Sequence, residues 1–195
     1  MIRATISENL RSFERRESPR SLAPAAVAIV LVTMDGIPSV PMFQRPLNMS
    51  RHAGQMALPG GRVHAGETVE ECAIREVYEE LGLVLDRPDV LGLLDDFDTQ
   101  SGFTITPVVI WSAADVSDLK PSKDEVLKLF VTGVSEIRET VAAAALGSTQ
   151  EFSLRFRLVE VFAPTAAILY QFSEVALDGR ACRVADFYQP PFTHR

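Results

Sequence analysis

The feature that most constrains this chain is the stretch from Gly60 to Leu83, GGRVHAGETVEECAIREVYEELGL. It reads as a glycine-bearing loop running into a two-faced helix. Thr68 to Leu81 predicts the helix, and Gly82 closes it in the C-cap role. Each helical residue advances about 100°, so Ile74, Val77 and Leu81 share a core-facing side. Glu76, Glu79 and Glu80 fall together on a separate narrow stripe. Like charges one turn apart repel. No Lys stands among them, and the adjacent Arg75 can pair with only part of the charge. A solvated negative face is the plain explanation. A divalent cation is the chemical one, because Mg²⁺ takes oxygen ligands from a few carboxylates, water and substrate phosphate. The loop favours the second: Gly60, Gly61 and Gly66 allow close backbone approach or positive φ. Glu67 stands at the helix entrance, where a carboxylate also has an ordinary role as an N-terminal charge.

Around this segment the chain alternates between strand and helix patterns. Residues 5 to 16 place Ile6, Leu10 and Phe13 at helical spacing. Ala25 to Met34 is an apolar, β-branched run that predicts a buried strand, with Asp35-Gly36 as a turn and Ser39 to Gln44 returning. Residues 45 to 66 read as loop. Val90 to Phe97, Thr104 to Trp111, Glu125 to Val131 and Phe152 to Phe162 predict strands. Val134 to Ala145 predicts a helix, and Pro164 starts another that ends before Gly179. This order suggests one α/β domain over residues 1–195, with a central sheet covered by helices.

The helix and its loop resemble the Nudix box: Gly, five residues, Glu, seven residues, then Arg-Glu-apolar-x-Glu-Glu-x-Gly-apolar. Gly61, Glu67, Arg75, Glu76, Val77, Glu79, Glu80, Gly82 and Leu83 stand at those places, so the box spans residues 61–83. The resemblance implies an α/β/α sandwich with a central mixed sheet and a loop-helix-loop metal site. It implies that Glu76, Glu79 and Glu80, with the Gly60 carbonyl, bind Mg²⁺ or Mn²⁺. Glu67 would support the site or touch a metal, and Arg75 would hold the glutamates by ion pairing. Glu79, Glu80, Glu67 and Arg75 are then the expected catalytic residues of a pyrophosphohydrolase.

Upstream, FQRPLNMSRHAGQMALPGG at residues 43–61 is similar to the segment that precedes the box in the coenzyme A pyrophosphatases of that family. Arg45, Gly54, Pro59, Gly60 and Gly61 fit that form. Ser50 stands where a second Arg is usual, with Arg51 one place later, and Leu58 replaces a Phe. Asp95-Asp96, Ser101-Gly102-Phe103, Thr106 to Val109 and Asp124-Glu125-Val126 extend the likeness. It implies a nucleotide substrate, coenzyme A or acyl-coenzyme A, cut to 3′,5′-ADP and 4′-phosphopantetheine. Arg45 and Arg51 are the expected phosphate contacts, since Arg offers a planar fork of donors. Met42, Met49 and Met56 are candidates for a soft wall around a pantetheine arm, or for ordinary packing. The two departures keep open a pyrophosphatase for ADP-ribose or another nucleoside diphosphate derivative. A Nudix-fold module that binds a nucleotide without turnover is the non-enzymatic alternative. Candidate general bases include Glu79, Glu80, Asp98 and Asp124; His52 and His64 flank the site in sequence.

Composition sets the remaining limits. A net charge of −7 argues against a nucleic-acid partner, whose backbone is met by Lys and Arg. No Walker-type Gly-Lys-Ser/Thr loop, Rossmann glycine fingerprint or Gly-x-Ser-x-Gly elbow occurs. The apolar run Ala25–Val32 is too short to span a bilayer, so no membrane association is expected. Two cysteines without metal-type spacing suit a reducing, cytoplasmic setting. The apolar first strand and amphipathic first helix leave room for a homodimer.

Overall fold

Strand β1, Ala23–Met34, organises the molecule because it is apolar on both faces. The computed structural model describes residues 2–48, 52–144 and 152–190. Helix α1, Ile2–Ser12, precedes β1. It starts earlier and stops sooner than the 5–16 spacing predicts. Beyond it the chain is drawn out of helix as Arg15 bonds the Leu94 carbonyl and Asp96, and the Arg16 N–H bonds Asp95. β2, Ile37–Gln44, returns antiparallel to β1. Asp35 and Gly36 between them both take positive φ, which suits the twist of a two-residue hairpin.

The stretch expected to be loop contains two short strands, β3 (Met56–Ala57) and β4 (Gly60–Arg62). Helix α2 follows at Val69–Leu81. Thr68 and Glu71 cap its start reciprocally, and Gly82 ends it in the left-handed conformation at φ 67°. The expected strand 90–97 is broken into β5, Val90–Leu93, and β6, Phe97–Asp98. The break falls where Asp95 and Asp96 turn their carboxylates to the N-terminal connector. β7 runs from Phe103 to Asp115, β8 from Lys128 to Gly133, and α3 from Val134 to Ala143. The single strand expected over 152–162 is a hairpin of β9, Ser153–Arg155, and β10, Glu160–Phe162. Helix α4, Thr165–Gln171, continues into a π-helical turn at Phe172–Leu177.

The main sheet is mixed. Its order is β3-β2-β1-β7-β5, with β4 also on β1, β6 on β7 and β8 on β2. β1 and β7 are parallel, and the other pairs are antiparallel. Alternation along β1 divides the core. Ala26, Ala28, Val30 and Val32 pack with Cys72, Ala73, Val77 and Leu81 of α2. Ile29 and Leu31 face the other way, into a cluster with α1, α3 and α4. The result is an α/β/α sandwich. The two features that left room for a dimer are used inside the chain: Ile6 and Leu10 of α1 are buried, and β1 is central in the sheet. No helix among the described residues is long and apolar enough to cross a membrane.

Candidate active site

The site is built where β4 delivers Gly60 and Gly61 to the side of α2. A Cβ on Gly60 would lie 2.4 Å from the Ala26 carbonyl oxygen, and one on Gly61 would lie 2.1 Å from Glu76 Oε1. Only a bare backbone lets β4 pair with β1 while the Glu76 carboxylate lies against it. The Gly60 N–H donates to Glu80 Oε2 at 2.9 Å.

Arg75 gathers the acids around it. Its Nε donates to Glu67 Oε1 at 2.8 Å, and its Nη1 donates to Glu76 Oε1 at 2.7 Å and Glu79 Oε2 at 3.0 Å. The Arg75 hydrogen bond is the main reason the Glu67 carboxyl is held down to about 2, aided by the His64 N–H. In turn Glu67, then Glu76, pushes the Arg75 pKa up.

The three helix glutamates are not equivalent. The Glu79 side chain is 47% exposed, that of Glu76 12%, and Glu80 as a whole residue only 3%. Burial pushes the Glu80 carboxyl up to about 8, and the nearby Glu76 charge adds to that push; the Gly60 N–H opposes it. Burial likewise raises Glu76. Helical spacing alone places these residues on one stripe. It does not show that the stripe tips inward at Glu80.

The loop after β7 closes the end of the helix. The Lys120 and Ser122 N–H groups donate to the Leu81 and Glu80 main-chain carbonyls, at 2.7 and 2.9 Å. They satisfy the open end of α2. The same loop brings Glu125 close enough for its charge to raise both Glu76 and Glu80. Sequence reasoning missed Glu125 as a site residue; its one signal was the Asp124-Glu125-Val126 run. Asp124 is exposed, and Asp98 accepts hydrogen bonds from Ser18 and Thr104 in a structural role.

A pocket of about 340 Å³ opens beside the loop, lined by Arg45, Met56, Leu58, Gly60, Gly61 and Phe103 among others. Arg45 is held at the end of β2 by backbone hydrogen bonds with Gln55 and Gly54. Its Nε is buried without a hydrogen-bond partner among the described residues, and its positive charge is felt at Glu80. A buried guanidinium N–H without an acceptor is costly unless a ligand supplies one. His52 also lines the pocket, whereas the His64 backbone N–H is used by Glu67. Met56 lines the pocket, but Met42 is fully buried core. Arg51, Ser50 and Met49 lie outside the described residues.

The donor set suits a hard divalent cation. Glu80 is a buried carboxylate with one backbone donor and two acidic neighbours, so a positive charge beside it would relieve both desolvation and repulsion. Among the described residues, no three His, Cys, Asp or Glu side chains already converge as a closed cation cage. Arg75 accounts for part of this, since it draws Glu76 and Glu79 onto itself. Both cysteines are free, and burial pushes the Cys72 thiol up to about 11, which disfavours its thiolate form.

Residues 22–152 match the model of the NUDIX domain. The chain is 30% identical over 160 residues to Nudix hydrolase 3 of Caenorhabditis elegans, covering 77% of this chain and 65% of that one. It is 35% identical over 124 residues to an uncharacterized Nudix hydrolase, NudL, of Pectobacterium atrosepticum, covering 60% and 64%. The matched segments thus span a little under two thirds of these relatives. Among solved structures, a Nudix hydrolase from Alicyclobacillus acidocaldarius superposes with a TM-score of 0.53 at 14% identity, over 84% of this chain and 95% of that one. At that identity the likeness speaks for the fold alone.

Proposed function

The chain belongs to the Nudix family, and from that premise we propose that it hydrolyses the pyrophosphate of coenzyme A or an acyl-coenzyme A, with residues 1–195 acting as one catalytic unit. The observation that carries the reading is two incompletely satisfied groups joined through Gly60, which lines the pocket alongside Arg45 and bonds Glu80 through its N–H. Glu80 is a buried carboxylate short of positive charge, and the Arg45 Nε is a buried donor short of an acceptor. A cation and a phosphate would satisfy them together.

In this reading Glu76, Glu79 and Glu80, with the Gly60 carbonyl, hold Mg²⁺ or Mn²⁺. When bound, the metal supplies charge neutralisation at the phosphate oxygens and acidifies water. Arg75 and Glu67 position the acids; Glu67 is locked ionised by the guanidinium and so keeps Arg75 aligned. Arg45 binds a phosphate oxygen through its open Nε, and Arg51 is assigned a second phosphate contact. Water adds to one phosphorus, and the bridging oxygen leaves with the other phosphate. Glu79, the most exposed of the three helix glutamates, takes the water proton, with Glu125 as the neighbouring carboxylate. Positioning and electrostatics supply most of the rate.

The test is a product assay with coenzyme A, ADP-ribose and a nucleoside triphosphate in parallel, each with Mg²⁺ or Mn²⁺. The reading expects 3′,5′-ADP from coenzyme A, released much faster than product from the other two. Faster cleavage of ADP-ribose would reject the coenzyme A assignment and keep the pyrophosphatase. Tight nucleotide binding in Mg²⁺ with no product over hours would reject catalysis.

A further inference from the structure

The segment after Gly179 has no regular secondary structure among the described residues, yet it reaches the substrate pocket. Two anchors fasten it. Arg183 pairs with the buried Asp95 at 2.9 and 3.0 Å. The Phe187 ring packs 4.5 Å from Phe152 and 5.6 Å from Tyr170, centroid to centroid. Beyond these anchors Gln189 is 6% exposed and lines the pocket itself.

Both halves of the Gln189 amide are used on one turn. Its Oε1 accepts from the Gln100 N–H at 3.0 Å, and its Nε2 donates to the Asp98 carbonyl at 2.8 Å. That turn joins β6 to β7; it is also closed through the Thr99 N–H to the Phe103 carbonyl and the Thr99 hydroxyl, and its Gly102 carbonyl accepts from the Ala23 N–H of β1. Thr99, Ser101 and Phe103 of the turn line the pocket. Phe103 also carries the Arg62 guanidinium over its ring at 4.9 Å, which links the turn to the strand that delivers Gly60 and Gly61. Both Gln189 amide hydrogen bonds are made to the turn, and the tail has separate anchors at Arg183 and Phe187.

We propose that Gln189 is a positioning residue: by gripping the Asp98–Gln100 backbone it sets the pocket wall carrying Phe103, and so governs how the substrate arm leading away from the pyrophosphate is held. The assignment rests on the pyrophosphatase reading above. The lining in this region, Phe103 and Ile105 with Ile168 of α4, suits an apolar, flexible arm. The turn is not at the carboxylates, so its displacement weakens substrate binding and spares the chemical step.

The experiment is steady-state kinetics of Gln189→Ala and Gln189→Glu with coenzyme A, beside calorimetric binding of 3′,5′-ADP, which lacks the arm. Gln189→Ala is expected to raise KM about tenfold with kcat within about twofold. Gln189→Glu keeps the acceptor for Gln100 and loses the donor to Asp98, so its KM should fall between. Binding of 3′,5′-ADP should not change. An unchanged KM, a fall in kcat at constant KM, or equal weakening of 3′,5′-ADP overturns the proposal. If the wild-type enzyme cleaves ADP-ribose or the nucleoside triphosphate but not coenzyme A, only the coenzyme A assignment falls. The variants are then measured on the substrate that is cleaved, and an unchanged KM there overturns the role of Gln189. A wild-type enzyme that cleaves none of the three overturns both.

Discussion

Two clusters of charge in this molecule are built from the same residue types and differ in their balance. In the cluster that ties both chain ends to the sheet, two carboxylates meet two guanidiniums. Asp95 accepts from Arg183, from Gln171 and from the Arg16 N–H. Asp96 accepts from Arg15, from Thr106 and from the Ser18 N–H. In the cluster on α2, Glu67, Glu76 and Glu79 share Arg75, and Glu80 accepts from the Gly60 N–H. Partial burial penalises charge in both places. The first cluster compensates that penalty within the chain and works as a joint. The second carries an excess of negative charge, which in the function proposed above a cation would complete.

Substitutions should separate the two. Glu80→Gln keeps an acceptor for the Gly60 N–H and removes a buried charge. Activity is expected to fall on the order of a hundredfold or more, while the Tm in chelator stays level or rises; a full-rate enzyme would remove Glu80 from the metal set. Asp95→Ala should do the reverse, because it strands Arg183 and the Gln171 amide. A loss of about 2–4 kcal/mol in chemical denaturation is expected, with kcat per folded molecule unchanged. If both variants lose activity and stability in parallel, the distinction between joint and site fails.

Acidity sharpens the same contrast. The Glu80 carboxyl lies near 8 in the folded chain against an ordinary 4.5, so its neutral form stabilises the fold below 4.5 and that stability is lost as the pH rises through 8. Glu67 is depressed to about 2, so its contribution is present above 4.5 and is lost as the pH falls toward 2. Metal-free protein should therefore melt higher at pH 5 than at pH 8, and lower again at pH 2.5. Saturating Mg²⁺ should narrow the difference between pH 5 and pH 8, since it favours ionised Glu80. Thermal scans with and without chelator would show this, and a metal-free Tm that rises steadily from pH 5 to 8 would contradict the burial argument. The smallest effect belongs to Glu125→Gln: removing one neighbouring charge should lower the metal-free Glu80 pKa slightly, read by carboxyl titration in NMR.

Much of the α2 cluster was legible from residue order. The spacing of Glu76, Glu79 and Glu80 and the closing Gly82 are local facts, and the helix forms over the expected span, with Thr68 as its cap instead of its first residue. The parallel pairing of β1 with β7 has no local signature, although the continuous apolar run of β1 already predicted a buried strand. What could not be read was non-local. The Glu80 carboxylate lies against Gly60 of β4, twenty residues earlier, and the end of α2 is closed by Lys120 and Ser122, some forty residues later. The break between β5 and β6 depends on Arg15, Arg16 and Arg183 reaching Asp95 and Asp96 from both chain ends. The contribution of Pro164, Ile168 and Gln189 to the pocket depends on where α4 docks, which the loose pattern after Phe152 did not reveal.

The measurement that bears most directly on the excess-charge account is calorimetric titration of the metal-free protein with Mn²⁺ at pH 8, for the wild-type chain, Glu80→Gln and Asp95→Asn. The account predicts saturable binding by the wild type, binding weakened at least tenfold in Glu80→Gln, and wild-type affinity in Asp95→Asn. Equal affinity in the wild type and Glu80→Gln, or no binding by the wild type, would contradict it.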